Sequence, residues 1–226
     1  MAIDTRLAPQ PVWSFVPDGS VIDIAAPDAA EVCFIEMGNA LSKIARFDGR
    51  NPGPAYSVAQ HSVMGAQAIL NEGGTRMDAA LFLLHDGHEY IVGDQSKPSQ
   101  ELYSSVAIDL YGEARMRDAV ATCKAAWDEA IYFAAGFPGP EAWNRRQAKL
   151  VKDMDIRMCR AEAIALFGPR AGREMPPSAT PKLTGAIKPW APMKAEEQFR
   201  KMAYRLIGED LVLERASIVA ANRALR

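Results

Sequence analysis

The chain contains three histidines, His61, His85 and His88, and they fall within 28 residues of one another. His85 is followed directly by Asp86 inside an apolar run, AALFLLHDGHEY, and His61 lies 24 residues upstream. Imidazole and carboxylate together suit a divalent transition metal. A carboxylate buried in such a run without a counter-charge is strongly unfavourable, and a bound cation resolves that cost. The pattern reads as a metal site, and a metal site suggests hydrolysis.

Periodicity indicates which further groups converge there. If residues 76–92 form one helix, His85 and Glu89 are four apart and share a face, with Asp86 at its edge. Leu81, Leu84 and Val92 turn much of that helix inward. A further ligand comes from the segment KLVKDMDIRMCRAEA, which offers Asp153 and Asp155. Its apolar stripe is Leu150, Val151, Met154, Met158, Ala161 and Ala165. Asp155 flanks that stripe, whereas Asp153 points toward the charged face with Arg157. His61, His85, Asp86 and Asp155 then supply two imidazoles and two carboxylates, leaving coordination positions for water and substrate oxygens. Such a mixed N/O set fits Co, Mn, Fe, Ni or Zn. His88 is left as a surface or supporting residue.

The elements that must position these groups are mostly helical. Residues 12–26 hold short alternating runs around Asp18-Gly19, a favoured hairpin pair, and predict a β-hairpin or extended arm. Residues 30–45 have helical spacing weakened by Gly38, and residues 46–54 break the helix. Ser57 followed by Gln60 predicts a capping box at the start of a helix over 57–71. Further helices are expected over 76–92, as one or two pieces over 100–135, over 141–167 and over 194–207, with a helical tail. Residues 168–192 are rich in Gly and Pro, and a stretch of that length reads as a mobile lid, an oligomer arm or a disordered segment. Trp13, Trp127, Trp143 and Trp190 read as core or interface residues.

The order His … His-Asp … Asp resembles the HD-domain phosphohydrolase superfamily. The likeness extends through ARFDGR, YSVAQHSV, LFLLHDGHEYIVGDQSKP, LVKDMD and AEEQF. Together these resemble the branch of bacterial 5′-deoxynucleotidases and related phage and bacterial HD hydrolases, dATP triphosphohydrolase-like proteins included. The similarity covers residues 35–206, and implies an all-α HD-domain bundle in which His61, His85, Asp86 and Asp155 hold the metal. It also implies Glu89 as the catalytic carboxylate, Asp94 as a second polar active-site residue and Arg46 as the phosphate contact. Phe47 stands where the deoxynucleotidases commonly have tryptophan, and would pack on base or sugar. Lys97, in the following loop, is a candidate second cation. The function implied is hydrolysis of deoxynucleoside 5′-monophosphates, with dNTP triphosphohydrolysis as the alternative.

Composition narrows the remaining classes. The chain has 226 residues and is 49% hydrophobic, enough for one large domain over 1–226, with 1–28 as an N-terminal arm. Its formal net charge of -2 argues against bulk electrostatic binding of nucleic acid or an acidic membrane. Cys33, Cys123 and Cys159 form no CxxC pair, which disfavours a zinc-thiolate site or a disulfide framework. No stretch approaches 18 consecutive apolar residues and no secretory signal is evident, so a cytoplasmic protein is expected. Alarmone hydrolases continue the motif as HDxxED, and here Tyr90 follows Glu89. A non-catalytic nucleotide-binding regulator would be expected to have lost one of the five site residues. The resemblance implies a homodimer or higher homo-oligomer.

Overall fold

The computed structural model describes residues 6–113 and 115–225; residues 1–5 of the expected arm lie outside the described residues. The chain is mostly helical, with a two-stranded hairpin near its N-terminus. Strands β1 (Trp13–Phe15) and β2 (Val21–Asp23) pair antiparallel, with Ser14 opposite Ile22. The indole N–H of the buried Trp127 donates to Ile24 O at 3.1 Å, which ties the end of the hairpin to the helices.

Nine helices follow among the described residues: α1 (Phe34–Leu41), α2 (Val58–Asn71), α3 (Arg76–Leu83), α4 (Glu89–Val92), α5 (Lys97–Tyr111), α6 (Arg115–Ala134), α7 (Arg145–Phe167), α8 (Pro192–Leu206) and α9 (Glu209–Ala224). Helix α2 is the axis of the core. It is buried on nearly every side, and α1, α3, α7 and α8 pack around it. That burial matches its composition, which has no Asp, Glu, Lys or Arg and is mostly apolar or small. Helix α8 buries Ala195, Phe199, Met202, Ala203 and Leu206, a stripe at helical spacing whose reverse side is charged. Gly38 belongs to this packing. A Cβ there would lie 2.9 Å from Phe199 Cδ1, so the residue that weakens helix propensity in α1 is the one that admits the Phe199 ring.

Three local expectations are corrected. The helix expected over 76–92 is two: α3 ends at Leu83, and residues 84–88 wind through successive i to i+3 turns before the short α4. The capping box at Ser57 is half made. Ser57 Oγ accepts from Gln60 N at 3.2 Å, but the Gln60 amide reaches elsewhere, accepting from Trp190 N and donating to Lys188 O, both at 2.8 Å.

The third correction is the segment 168–192, which is neither free nor disordered. It is a strap laid along α2 and α7. Arg157 donates to both carboxylate oxygens of Glu72 and to the carbonyls of Ala179 and Thr180, and Glu72 also accepts from Lys182 N. Asn71 donates to Lys182 O, and Leu183, Ile187 and Trp190 pack on the core. The backbone polar groups of a long loop are satisfied here by side chains reaching from the helices beneath. Among the described residues no helix is long and apolar enough to cross a membrane.

Candidate metal centre

Three elements deliver the four candidate ligands. His61 sits on the first turn of α2 and is fully buried. His85 and Asp86 sit in the turn after α3, and Asp155 on α7. The helix break is what aims His85. Its Nδ1 lies 2.6 Å from Phe82 O, a carbonyl at the end of α3. A carbonyl only accepts, so Nδ1 carries a proton and Nε2 is the nitrogen left to act as a ligand once the ring is neutral. Gly87 permits the tight turn, because a Cβ there would lie 2.8 Å from Leu84 O.

His61 is fixed by a residue that sequence reasoning missed. Glu162 is fully buried, with Oε1 2.7 Å from His61 Nδ1, and Oε2 accepts from Arg46 Nε at 3.0 Å. Burial works against ionising Glu162, but Arg46 and His61 outweigh it and hold the carboxyl below its ordinary range. An ionised Glu162 makes His61 Nδ1 the donor and turns its Nε2 to the same space as that of His85. This carboxylate–imidazole support is a common companion of metal-ligating histidine. One signal in the sequence could have found it: Glu162 is seven residues after Asp155, two turns along the same face of α7.

The two Nε2 atoms are 3.4 Å apart. Asp86 Oδ2 lies 3.2 Å from His85 Nε2 and 3.8 Å from His61 Nε2. Asp155 Oδ1 lies 3.4 Å from His61 Nε2 and 3.8 Å from His85 Nε2. Two ring nitrogens facing each other across two carboxylates are a set that a divalent transition metal fits, the metal taking the place of the Nε2 protons. Asp155 keeps half its side chain exposed at the rim, whereas Asp153 pairs with Lys149 on the outer face.

The charges of this set hold one another. Burial pushes the His85 imidazolium down, and the carboxylates of Asp86 and Asp155 more than offset it, raising it to about 9. Burial likewise opposes ionisation of Asp155, but the two imidazoles hold it far below the usual carboxylate range. Arg46 brings a guanidinium to these carboxylates. Its Nη1 lies 3.4 Å from Asp86 Oδ2 and its Nη2 3.9 Å from Asp155 Oδ1. The loop that carries it is held to the start of α2 by Arg46 N to Tyr56 O at 2.8 Å. Just beyond, Phe47 and Asp48 both adopt left-handed backbone, φ 56° and 53°. Non-glycine residues there cost on the order of 1–3 kcal/mol each, a strain that clusters at functional sites. The Phe47 ring meets the edge of Phe167 at 5.4 Å and lies beside the Arg46 guanidinium.

Glu89 and Asp94 stand on the Asp86 side of the centre. Glu89 is buried and its Oε2 has no hydrogen-bond partner. Burial, reinforced by the carboxylates of Asp86 and Asp94, lifts it to about 9. Asp94 is also raised, by burial against the pull of Arg46. His88 is not a surface residue: it is buried, its Nδ1 lies 2.8 Å from Asp128 Oδ1 on α6, and its Nε2 has no partner. Asp86, His88 and Glu89 place one donor atom each within 4.8 Å of one another, as do His61, His85 and Asp86. Lys97 is not brought to the centre. It begins α5 with its side chain 87% exposed, 4.0 Å from Glu101.

No family model matches the chain. A stretch of 90 residues is 34% identical to an uncharacterized protein of Rhodobacter capsulatus, taking in 38% of this chain and 45% of that protein. The match therefore spans less than half the length of that relative.

Proposed function

We propose that the chain is a metal-dependent phosphohydrolase of the HD-domain type, hydrolysing deoxynucleoside 5′-monophosphates to deoxynucleoside and phosphate. The observation that carries this reading is the convergence of His61 and His85 Nε2 atoms, 3.4 Å apart, with Asp86 and Asp155. A divalent metal held by those four residues would supply Lewis-acid activation of water and neutralisation of phosphoryl charge. Arg46, its guanidinium edge facing Asp86 and Asp155, is placed to clamp a phosphate with its planar fork of donors. Glu89 holds a proton at neutral pH in its buried, carboxylate-flanked position, which suits it to protonate the leaving sugar oxygen. Asp94 lies where it can accept from a sugar hydroxyl, and Phe47 can pack on the base or sugar. Asp128 and Glu162 hold His88 and His61 in place from behind.

A dNTP triphosphohydrolase remains the nearest rival, and the cations count against it. Arg46 is shared among three carboxylates and Lys97 points to solvent, so Lys124, acting on Glu89 and Asp94, is the further cation for a longer phosphate chain. The exposed stripe Leu102, Val106 and Leu110 on α5 supports the accompanying reading of a homo-oligomer.

The test is phosphate release from metal-stripped protein re-supplied with Co²⁺ or Mn²⁺. The panel is the four dNMPs, the matching ribonucleotides, and dNTPs with pyrophosphatase and polyphosphatase added. Release from dNMPs that vanishes in Asp86→Ala supports the proposal. Release confined to the coupled dNTP assays transfers it to the rival. Silence across the panel with metal bound refutes the substrate.

A further inference from the structure

Helix α5 is amphipathic with its apolar side turned outward. Of its residues only Ser104 is buried, and it shares the side toward α6, the helix that α5 packs against, with the half-buried Gln100 and Ala107. Leu102, Tyr103, Val106 and Leu110 fall within an arc of about 100°, centred roughly 110° away from that contact. These four side chains are 47–64% exposed. Glu101, Ser105 and Asp109 occupy the adjoining arc, so α5 has the sorted faces of a core helix with no core on its apolar one.

The surface area of the whole chain points the same way. It exposes 12344 Å². A monomeric globular protein of its 24.7 kDa exposes about 10,100 Å², which leaves a surplus of roughly 2,000 Å². A standard interface takes about 800 Å² from each partner, so the surplus is ample for one. The stripe is also self-complementary. Leu102 and Leu110 stand four residues either side of Val106, about 12 Å from end to end, and a two-fold axis at Val106 lays each end on the other. Beyond Lys97 at its start the helix has no lysine or arginine, and acids border the stripe, which disfavours an anionic membrane as the cover.

We propose that α5 is a dimerisation helix. Two copies of this chain pack their α5 stripes antiparallel about a two-fold axis at Val106, with Leu102 of each copy against the partner's Leu110 and α6 behind each α5. The pair α5 and α6 is rooted at the candidate metal centre. The loop before α5 carries Asp94, Ser96 Oγ donates to Asp48 Oδ2 at 3.1 Å, and Asp128 on α6 holds His88. Dimerisation therefore braces one wall of the centre from outside. The proposal gives the homo-oligomer reading a symmetry and a contact, and does not depend on the phosphohydrolase reading.

Sedimentation velocity of the full chain at micromolar concentrations tests this. We expect a species of twice the 24.7 kDa chain mass. Val106→Arg sets two like charges against each other at the axis. It should raise the dimer dissociation constant about thirtyfold or more, the loss typical of a central hot spot, with an unchanged far-UV circular dichroism spectrum. Leu102→Glu and Leu110→Lys should each weaken the dimer. The double variant should be at least about tenfold tighter than either, because the new acid of one copy then meets the new base of the other. Within one chain those positions are about 12 Å apart, too far to pair. A monomer throughout the range overturns the proposal, with or without binding to lipid vesicles, and so does a trimer or a dimer that Val106→Arg leaves intact. A double variant no tighter than its singles refutes the antiparallel register. Failure of the metal reading would instead show as absent Co²⁺ binding by a chain that still dimerises, and His85→Ala should dimerise as the parent does.

Discussion

Glu162 Oε1 lies 2.7 Å from Nδ1 of His61, with both side chains fully out of solvent. The same carboxylate takes Arg46 on its other oxygen, so one buried group sets the tautomer of a candidate ligand and the position of the candidate phosphate clamp. Glu162→Gln keeps the shape and removes the charge. Loss of such a supporting carboxylate typically costs 10–100-fold in metal affinity. We expect that range for Co²⁺ by isothermal titration, with a lowered Tm; an unchanged affinity would show that Glu162 serves packing alone.

The metal itself should stabilise the fold. Ligand present at about 100 times its dissociation constant adds about 2.7 kcal/mol. Removing it with a chelator should lower Tm and abolish phosphate release, and Co²⁺ or Mn²⁺ should restore both. Asp86→Ala and His85→Ala should show neither response. A chelator-treated protein with unaltered Tm and turnover would remove the metal from the account.

Without metal, stability should fall as pH rises from about 6.5 to 9. The folded His85 titrates near 9 against an ordinary 6.5, and the folded Glu89 near 9 against 4.5. Both bind more protons folded than unfolded inside that window: the His85 contribution is complete at its acid end, the Glu89 contribution is complete only below about 4.5 and is already falling there, and both are lost through pH 9. Asp86, Asp155 and Glu162 are depressed, and their contribution disappears only on acidification below the ordinary carboxylate range. Thermal melts at pH 6 and pH 9 measure this. Added Co²⁺ should flatten the alkaline fall, because metal binding favours the deprotonated ligands. A metal-free protein more stable at pH 9 would contradict these assignments.

Gly87→Ala should disturb the centre through its turn. The new Cβ would stand 2.8 Å from Leu84 O, a backbone atom that yields only if the turn moves. Overpacking of this kind costs about 1–3 kcal/mol. Since the turn carries His85 and Asp86, Co²⁺ affinity should fall with Tm. A drop in Tm at full metal affinity would mean the turn absorbs the methyl elsewhere.

Arg157→Ala should release the strap. Arg157 and Glu72 are partly exposed, so their ion pair contributes only about 0–1 kcal/mol to global stability. The local effect should be larger, because the two strap carbonyls lose their donor as well. We expect trypsin to cut after Lys182 faster in the variant while Tm moves little. Unchanged cleavage would place the hold on the strap with Gln60 and Asn71 instead.

Much of this was legible in the residues. Helical periodicity, the Asp18-Gly19 turn and the Ser57 cap are local signals, and the hairpin and most helices stand within a few residues of where they predict. The break after Leu83 was not legible, because AALFLLHDGHEY is apolar enough to read as continuous helix. What interrupts it is the bond from His85 to the Phe82 carbonyl together with the close turn at Gly87. The Gly/Pro-rich segment read as loose for a similar reason: its anchors, Glu72 and Arg157, lie on α2's end and α7.

By itself the sequence determined an all-helical chain with an N-terminal hairpin, and a short set of histidines and carboxylates able to ligate a metal. Residue type and spacing suffice for that, since helix periodicity acts within a few turns. Only the tertiary structure decided which of those groups meet. His61 and Asp155 are 94 residues apart in sequence and 3.4 Å apart in space. Glu162, His88 and Asp128 gain their parts from burial beside one another, where low polarity makes each charge depend on its neighbour. Burial and contact between distant segments are properties of the packed chain, and no local pattern encodes them.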